Sequence, residues 1–219
     1  MGKWASRIFT RRGLALAAAI AATAALTAGA MIATSANAAV QTGAKAPAFQ
    51  VIDSNGKQRH LSEFAGKTLV LEWTNADCPF VQKFYGADAM QALQKQAAAD
   101  GVVWLSVISS APGKQGYVSG AGANTLTADR KAAPAAVLLD ASGAMGKAYG
   151  AKTTPHMYVI DKKGDLVYQG GIDDKPTPDP TSLKSATNYV TAALSDIKAG
   201  KAVAVTTSKP YGCSVKYAE

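Results

Sequence analysis

The chain has 219 residues, two cysteines and a formal net charge of +8. Four of its basic residues, Lys3, Arg7, Arg11 and Arg12, fall in the first 38, which hold no acid, so the other 181 carry only +4. No Lys/Arg run survives there, which leaves nucleic-acid binding without support, and 181 residues suffice for one domain with a real core.

Residues 1–38 have the order of a secretory signal peptide: a basic start, an Ala/Leu-rich stretch from Leu14 to Ala33, and the small-x-small site Ala36-Asn37-Ala38. The apolar stretch is nearly long enough to span a bilayer. Its alanine content and cleavage-like end favour export over anchoring. Thr10-Arg11-Arg12 before Leu14 is compatible with the twin-arginine route. Cleavage after Ala38 would leave a periplasmic or extracellular protein with no membrane contact. Two cysteines in an oxidising compartment could simply form one structural disulfide.

Along the mature chain, Pro47 to Asp53 alternates like a short strand, and Ser54 to Lys57 reads as a turn. Leu61 to Lys67 looks like one helical turn capped by Ser62. Thr68 to Trp73 is apolar on both faces apart from Glu72, the pattern of a central strand covered on both sides. Pro79 to Ala99 reads as a helix bent at Gly86, with Phe80/Phe84 and Val81/Tyr85 at i, i+4 spacing. Val102 to Ile108 is a second buried strand.

Residues 109–131 are Gly/Ser-dense loop with helix after it. Ala135 to Asp140 is a strand, Gly143 to Tyr149 a short helix, and Pro155 to Asp161 and Asp165 to Gln169 a late hairpin. Pro176, Pro178 and Pro180 block regular structure. Ser182 then starts an amphipathic helix carrying Leu183, Ala186, Val190, Leu194 and Ile197, which Gly200 ends. The pattern predicts an α/β fold, with a domain over 39–201 and a tail over 202–219 that carries Cys213.

Cys78 is the residue best placed for thiol chemistry, with a buried inert cysteine as the alternative. It stands between a strand end and Pro79, so it is placed as the N-cap of a helix, where free N–H groups of Phe80 and Val81 would favour the nucleophilic thiolate. Asp77 beside it acts in the opposite sense.

The series Pro47-x-Phe49, Asp53-x-x-Gly56, Leu61-Ser62-x-Phe64-x-Gly66-Lys67, Cys78-Pro79, Thr154-Pro155 and Val159-Ile160-Asp161-x-x-Gly164 resembles the thioredoxin-fold redoxins. These include the alkyl hydroperoxide reductase/thiol-specific antioxidant proteins and the exported thiol-disulfide oxidoreductases. The resemblance covers Ala44 to Asp173. It implies a thioredoxin-like fold, a central mixed β-sheet flanked by helices. It also implies that Cys78 is the attacking thiol, that Pro155 is a cis-proline whose loop lies against the sulfur, and that Glu72 is a buried acid beneath the site, able to shuttle protons. An edge position or a salt bridge is the alternative for Glu72.

The departures narrow the chemistry. Val81 stands where the second cysteine of Cys-x-x-Cys belongs, so no local disulfide can form. Asn75 and Leu71 occupy the Thr/Ser and Pro positions of the peroxiredoxin signature, with Thr74 one residue off, and neither Arg59 nor Arg130 matches the peroxide-polarising arginine. Cys213, on a tail expected to be flexible, is a candidate resolving thiol; the alternatives are a structural tether or a cysteine that never meets Cys78. His156 is expected near Cys78, stabilising a thiolate or donating a proton, or else bonded to backbone. Cys78, His156, Met157 and Cys213 are donor types that copper favours, but no metal-ligand spacing is present, and neither a metal nor another cofactor is expected. The leading reading is thiol-disulfide exchange with protein thiols or disulfides, completed by Cys213 or an external reductant. A peroxidase acting on small hydroperoxides and a non-catalytic binding module are the alternatives.

Overall fold

A computed structural model describes residues 40–218; the expected signal peptide lies outside the described residues. The strands are β1 (Gln50–Asp53), β2 (Gln58–His60), β3 (Leu69–Trp73), β4 (Val103–Ile108), β5 (Ala136–Leu139), β6 (Thr153–Thr154), β7 (His156–Ile160), β8 (Leu166–Gly170) and β9 (Cys213–Ser214). The helices are α1 (Pro79–Gly86), α2 (Ala89–Ala99), α3 (Gly120–Asp129), α4 (Ala144–Tyr149) and α5 (Tyr189–Lys198). No helix among the described residues is long and apolar enough to cross a membrane.

Seven strands form one sheet in the order β2-β1-β5-β4-β3-β7-β8. β3, β4 and β5 run parallel, while β7, β8, β1 and β2 pair antiparallel with their neighbours. Parallel neighbours need crossovers, supplied by α1 with α2 and then by α3. β3 lies between β4 and β7, and all five of its residues are buried, as its apolar run predicts.

Alternation along β3 and β7 divides the core in two. Leu69, Leu71 and Trp73, paired with Ile160, Tyr158 and His156, face one layer with Met145 and Tyr149. Val70 joins Val159, Met157, Phe84, Met90, Val190 and Cys78 in the other. Trp73 anchors the first layer, with ring centroids 4.9 Å from Tyr158 and 5.4 Å from Tyr149 and its N–H on Ser109 at 3.0 Å. Each such buried side chain contributes about 1.5–3 kcal/mol.

Three local expectations change. The helix expected to bend at Gly86 is interrupted instead: Asp88 takes a left-handed conformation (φ 55°) between α1 and α2. The final helix begins at Tyr189, capped by Asn188, whose side chain accepts from Thr191 N–H. The Ser182 segment belongs to a separate 3-10 turn, Pro180–Ser185, headed by Asp179. The turn Leu61–Phe64 is also 3-10 and starts from His60, whose N–H donates to Glu63 at 2.7 Å; Ser62 lies inside it.

Candidate functional site

β3 delivers the chain to a tight turn, Thr74 to Asp77, that ends on Cys78. Asn75 holds this turn: its backbone carbonyl accepts from Cys78 N–H (3.1 Å) and its side-chain oxygen from Asp77 N–H (2.9 Å). Gly116 rests against the Asn75 side chain, where a Cβ would come within 2.3 Å. Cys78 is the N-cap of α1 and Pro79 its first residue. Proline suits that place because the missing N–H has no helical partner there anyway.

The helix end contributes less to the sulfur than expected: Val81 N–H is the weakest of the groups that favour the thiolate, and Phe80 N–H is not among them. The sulfur makes no capping hydrogen bond. Its S–H donates to the Thr154 carbonyl at 3.0 Å, and it accepts from the backbone N–H of Cys213 at 3.4 Å. The Cys213 thiol is also within hydrogen-bonding reach of it. Both cysteines are free. Cys78 is 0% exposed, whereas Cys213 is half-buried.

These contacts set an asymmetry. Burial acts to raise the Cys78 thiol, but hydrogen bonds from the Cys213 thiol and backbone N–H, then from the Thr154 hydroxyl and the Val81 N–H, outweigh it, and the net shift is downward. Cys213 is pushed up to about 11, first by burial and then by its donation to Cys78. Cys78 is therefore the first of the two to become the nucleophilic thiolate.

The tail is a docked strap rather than a flexible arm. β9 pairs antiparallel with β6, setting Cys213 opposite Thr154. The Thr154-Pro155 bond is cis. Gly212 lies directly on that peptide: a Cβ there would be 2.1 Å from the Thr154 oxygen. On either side, Ser208 N–H donates to Gln169 (3.2 Å), Val215 N–H to Lys152 (3.0 Å) and Tyr217 OH to Ala151 (2.8 Å).

Cys78, the Pro155 loop and Cys213 thus converge, while Glu72 and His156 go elsewhere. Glu72 is buried in β3, and its carboxylate accepts from Tyr85 OH (2.8 Å), Trp104 Nε1 (2.9 Å), Ser106 Oγ (3.1 Å) and Gln94 Nε2 (3.3 Å). Four donors satisfy its two oxygens within a separate polar cluster. β3 is not at a sheet edge, and among the described residues Glu72 has no ion-pair partner. His156 pairs with Trp73 and shares its face, opposite the layer that holds Cys78. Its Nδ1 accepts from Lys152 N–H at 3.2 Å and lies 3.1 Å from Tyr158 OH. Burial, reinforced by Lys152, lowers it to about 3, so at neutral pH it is an uncharged ring bonded to backbone and supplies no charge to a thiolate.

Both described arginines are engaged away from the sulfur. Arg59 binds Asp53 (3.3 Å) and Glu63 (3.1 Å), and Arg130 stacks 3.9 Å over the Tyr85 ring. Among the described residues, no group of three or more His, Cys, Asp or Glu side chains is placed to hold a metal ion. Sequence reasoning missed Thr154 as the sulfur's partner and missed Lys83, Asp173 and Tyr211, which tie the tail to α1. A lysine sharing an apolar helix with Phe80, Val81 and Phe84 was the available signal.

A family model described as Redoxin matches residues 41–190. The chain belongs to the redoxin family. As a redoxin of thioredoxin-like fold it is a thiol-dependent oxidoreductase, of the disulfide-exchanging or peroxide-reducing kind. This redoxin is similar to a hypothetical protein from Sinorhizobium meliloti 1021, with 26% identity, a TM-score of 0.72, and coverage of 83% of this chain and 97% of that one. An uncharacterized conserved protein from Geobacillus kaustophilus is 23% identical, with a TM-score of 0.66 and coverage of 81% and 93%. A putative thiol:disulfide interchange protein DsbE from Chlorobium tepidum is 24% identical, at TM-score 0.49 over 60% and 85%. No curated protein matches the chain.

Proposed function

We propose that this redoxin is an exported thiol-disulfide oxidoreductase whose working pair is Cys78 and Cys213. The Cys78 thiolate attacks a disulfide on a partner protein, forming a mixed disulfide and releasing one partner thiolate, which takes up a proton. Cys213 then loses its proton and attacks the Cys78 sulfur. The Cys78–Cys213 bond forms, the second partner thiol leaves, and two electrons have passed from the pair to the partner disulfide. An external thiol reductant restores the pair. The observation that carries this reading is the seating of Cys213 on Cys78, backbone N–H to sulfur at 3.4 Å, by the two-residue pairing of β9 with β6.

The peroxidase reading has less support from the site. Reduction of a peroxide needs donors around the sulfur that polarise the O–O bond. Here Asn75 is occupied in the turn, both arginines are bound elsewhere, and the tail covers the sulfur. The leader over residues 1–38 supports export, with the domain over 39–201 and the tail over 202–219 as the mature protein. Parallel stopped-flow assays of the reduced protein with hydrogen peroxide and with a model disulfide test the choice. Faster disulfide exchange at equal concentration is expected, and faster sulfenic acid formation from peroxide would reverse it.

A further inference from the structure

Lys83 and Asp173 form an ion pair (3.4 Å) whose side chains are 0% and 1% exposed. Such a pair is costly to desolvate, and removing one partner is costlier still. The exchange chemistry at Cys78 uses neither charge. The pair does have a third member. Lys83 Nζ also donates to the Lys175 carbonyl at 3.0 Å, and the remaining Asp173 oxygen accepts from the hydroxyl of Tyr211. Tyr211 stands two residues before Cys213, and its ring packs edge-on to Phe80 at 5.8 Å, with the Lys83 ammonium 5.8 Å from its centroid. Phe80 and Lys83 both belong to α1, the helix that Cys78 caps. Burial, and then the Asp173 carboxylate, push the Tyr211 hydroxyl upward, so it stays protonated and remains a donor.

We propose that Tyr211, gripped by Asp173 and Lys83, is a positioning residue that holds Cys213 against Cys78, setting both the rate of resolution and the access of substrates to the sulfur. This rests on the two-cysteine cycle proposed above. Without the grip, the tail spends more time lifted. The Cys78 sulfur is then easier to reach, and Cys213 has a lower effective concentration at the mixed disulfide. The two steps must change in opposite directions. A side chain that merely stabilises the fold would not produce that split.

The test uses oxidised glutathione and the reduced full-length protein. Cys78 attacks one sulfur to give the Cys78–glutathione mixed disulfide and one glutathione. Cys213 then displaces the second glutathione. Quenched-flow mass spectrometry follows both steps in wild type and in Tyr211→Phe, which keeps the ring and removes the hydroxyl. Attack is expected at least threefold faster and resolution about tenfold slower, with the mixed disulfide accumulating. Unchanged rates, or both steps slowed together, would overturn the anchor while leaving the cycle intact. A wild-type protein that never resolves its mixed disulfide would overturn the cycle and the anchor with it. If Tyr211→Phe does not fold, Phe80→Leu, which removes the ring beside Tyr211 and spares the ion pair, is read by the same criteria.

Discussion

The backbone N–H of Cys213 points at the sulfur of Cys78, 3.4 Å away, across 135 positions of sequence. The contact depends on Gly212, the residue before Cys213. Its φ of 125° suits glycine, and its missing side chain lets the strand lie on the Thr154 carbonyl, 2.1 Å from where a Cβ would stand.

Replacing Gly212 should therefore open the site. In Gly212→Ala the new methyl meets backbone rather than a yielding side chain, so the strand must lift. Alkylation of Cys78 by iodoacetamide, followed by peptide mass spectrometry at pH 7.5, is expected to be about tenfold faster or more. An unchanged rate would mean that the tail does not guard the sulfur.

The two thiols should titrate apart. Alkylation of Cys78 should have an apparent pKa below 9.0, and that of Cys213 one near 11. Cys213→Ala keeps the backbone donor but removes the thiol, so the Cys78 profile should move toward higher pH. No movement would show that the Cys213 thiol does not help hold the anion.

His156 gives the fold an acid dependence. Its folded pKa, about 3, lies below the ordinary histidine value of 6.5. The unfolded chain therefore binds the extra proton between these values. The neutral ring's contribution is complete above pH 6.5 and is lost as pH falls towards 3. Between pH 6.5 and 4.5 the loss is about 2.3 kcal/mol. Urea unfolding of wild type and His156→Gln at these two pH values should show a smaller loss in the variant. Equal losses would assign the dependence to other groups.

Glu72 should matter for stability more than for exchange. Glu72→Gln sets an amide among four donors and leaves some of them facing another donor, at a cost of about 1–3 kcal/mol or more. Denaturant melts read that loss. The rate of Cys78 attack should stay within about twofold, because the carboxylate's hydrogen bonds go to Tyr85, Gln94, Trp104 and Ser106. A large fall in attack rate with little loss of stability would restore the proton-shuttle role.

How far the sequence could be read follows from the range of the interactions. The apolar run of β3, the strand at Val103–Ile108 and the Cys78-Pro79 helix start are local signals, and each was legible. The break at Asp88 was not, because it depends on a left-handed residue that is not a glycine. Nor was the face taken by His156, which follows from its pairing with Trp73 in the sheet. The tail was the largest gap. Its polar, glycine-containing sequence reads as loose, and tertiary partners, among them the Thr154 edge, the Lys83–Asp173 pair and the Gln169, Lys152 and Ala151 carbonyls, make it a strap. Cys213 was visible as a cysteine, but its distance from Cys78 was not.

The most direct test of the two-cysteine cycle is one turnover with a disulfide, read by non-reducing peptide mapping. Reduced protein is mixed with one equivalent of a small aromatic disulfide and quenched over time. Wild type is expected to pass through a Cys78 adduct and to end with a Cys78–Cys213 bond and both aromatic thiols released. Cys213→Ser is expected to stop at the adduct. A wild-type protein that stops there too, with Cys213 still a free thiol, would contradict the account.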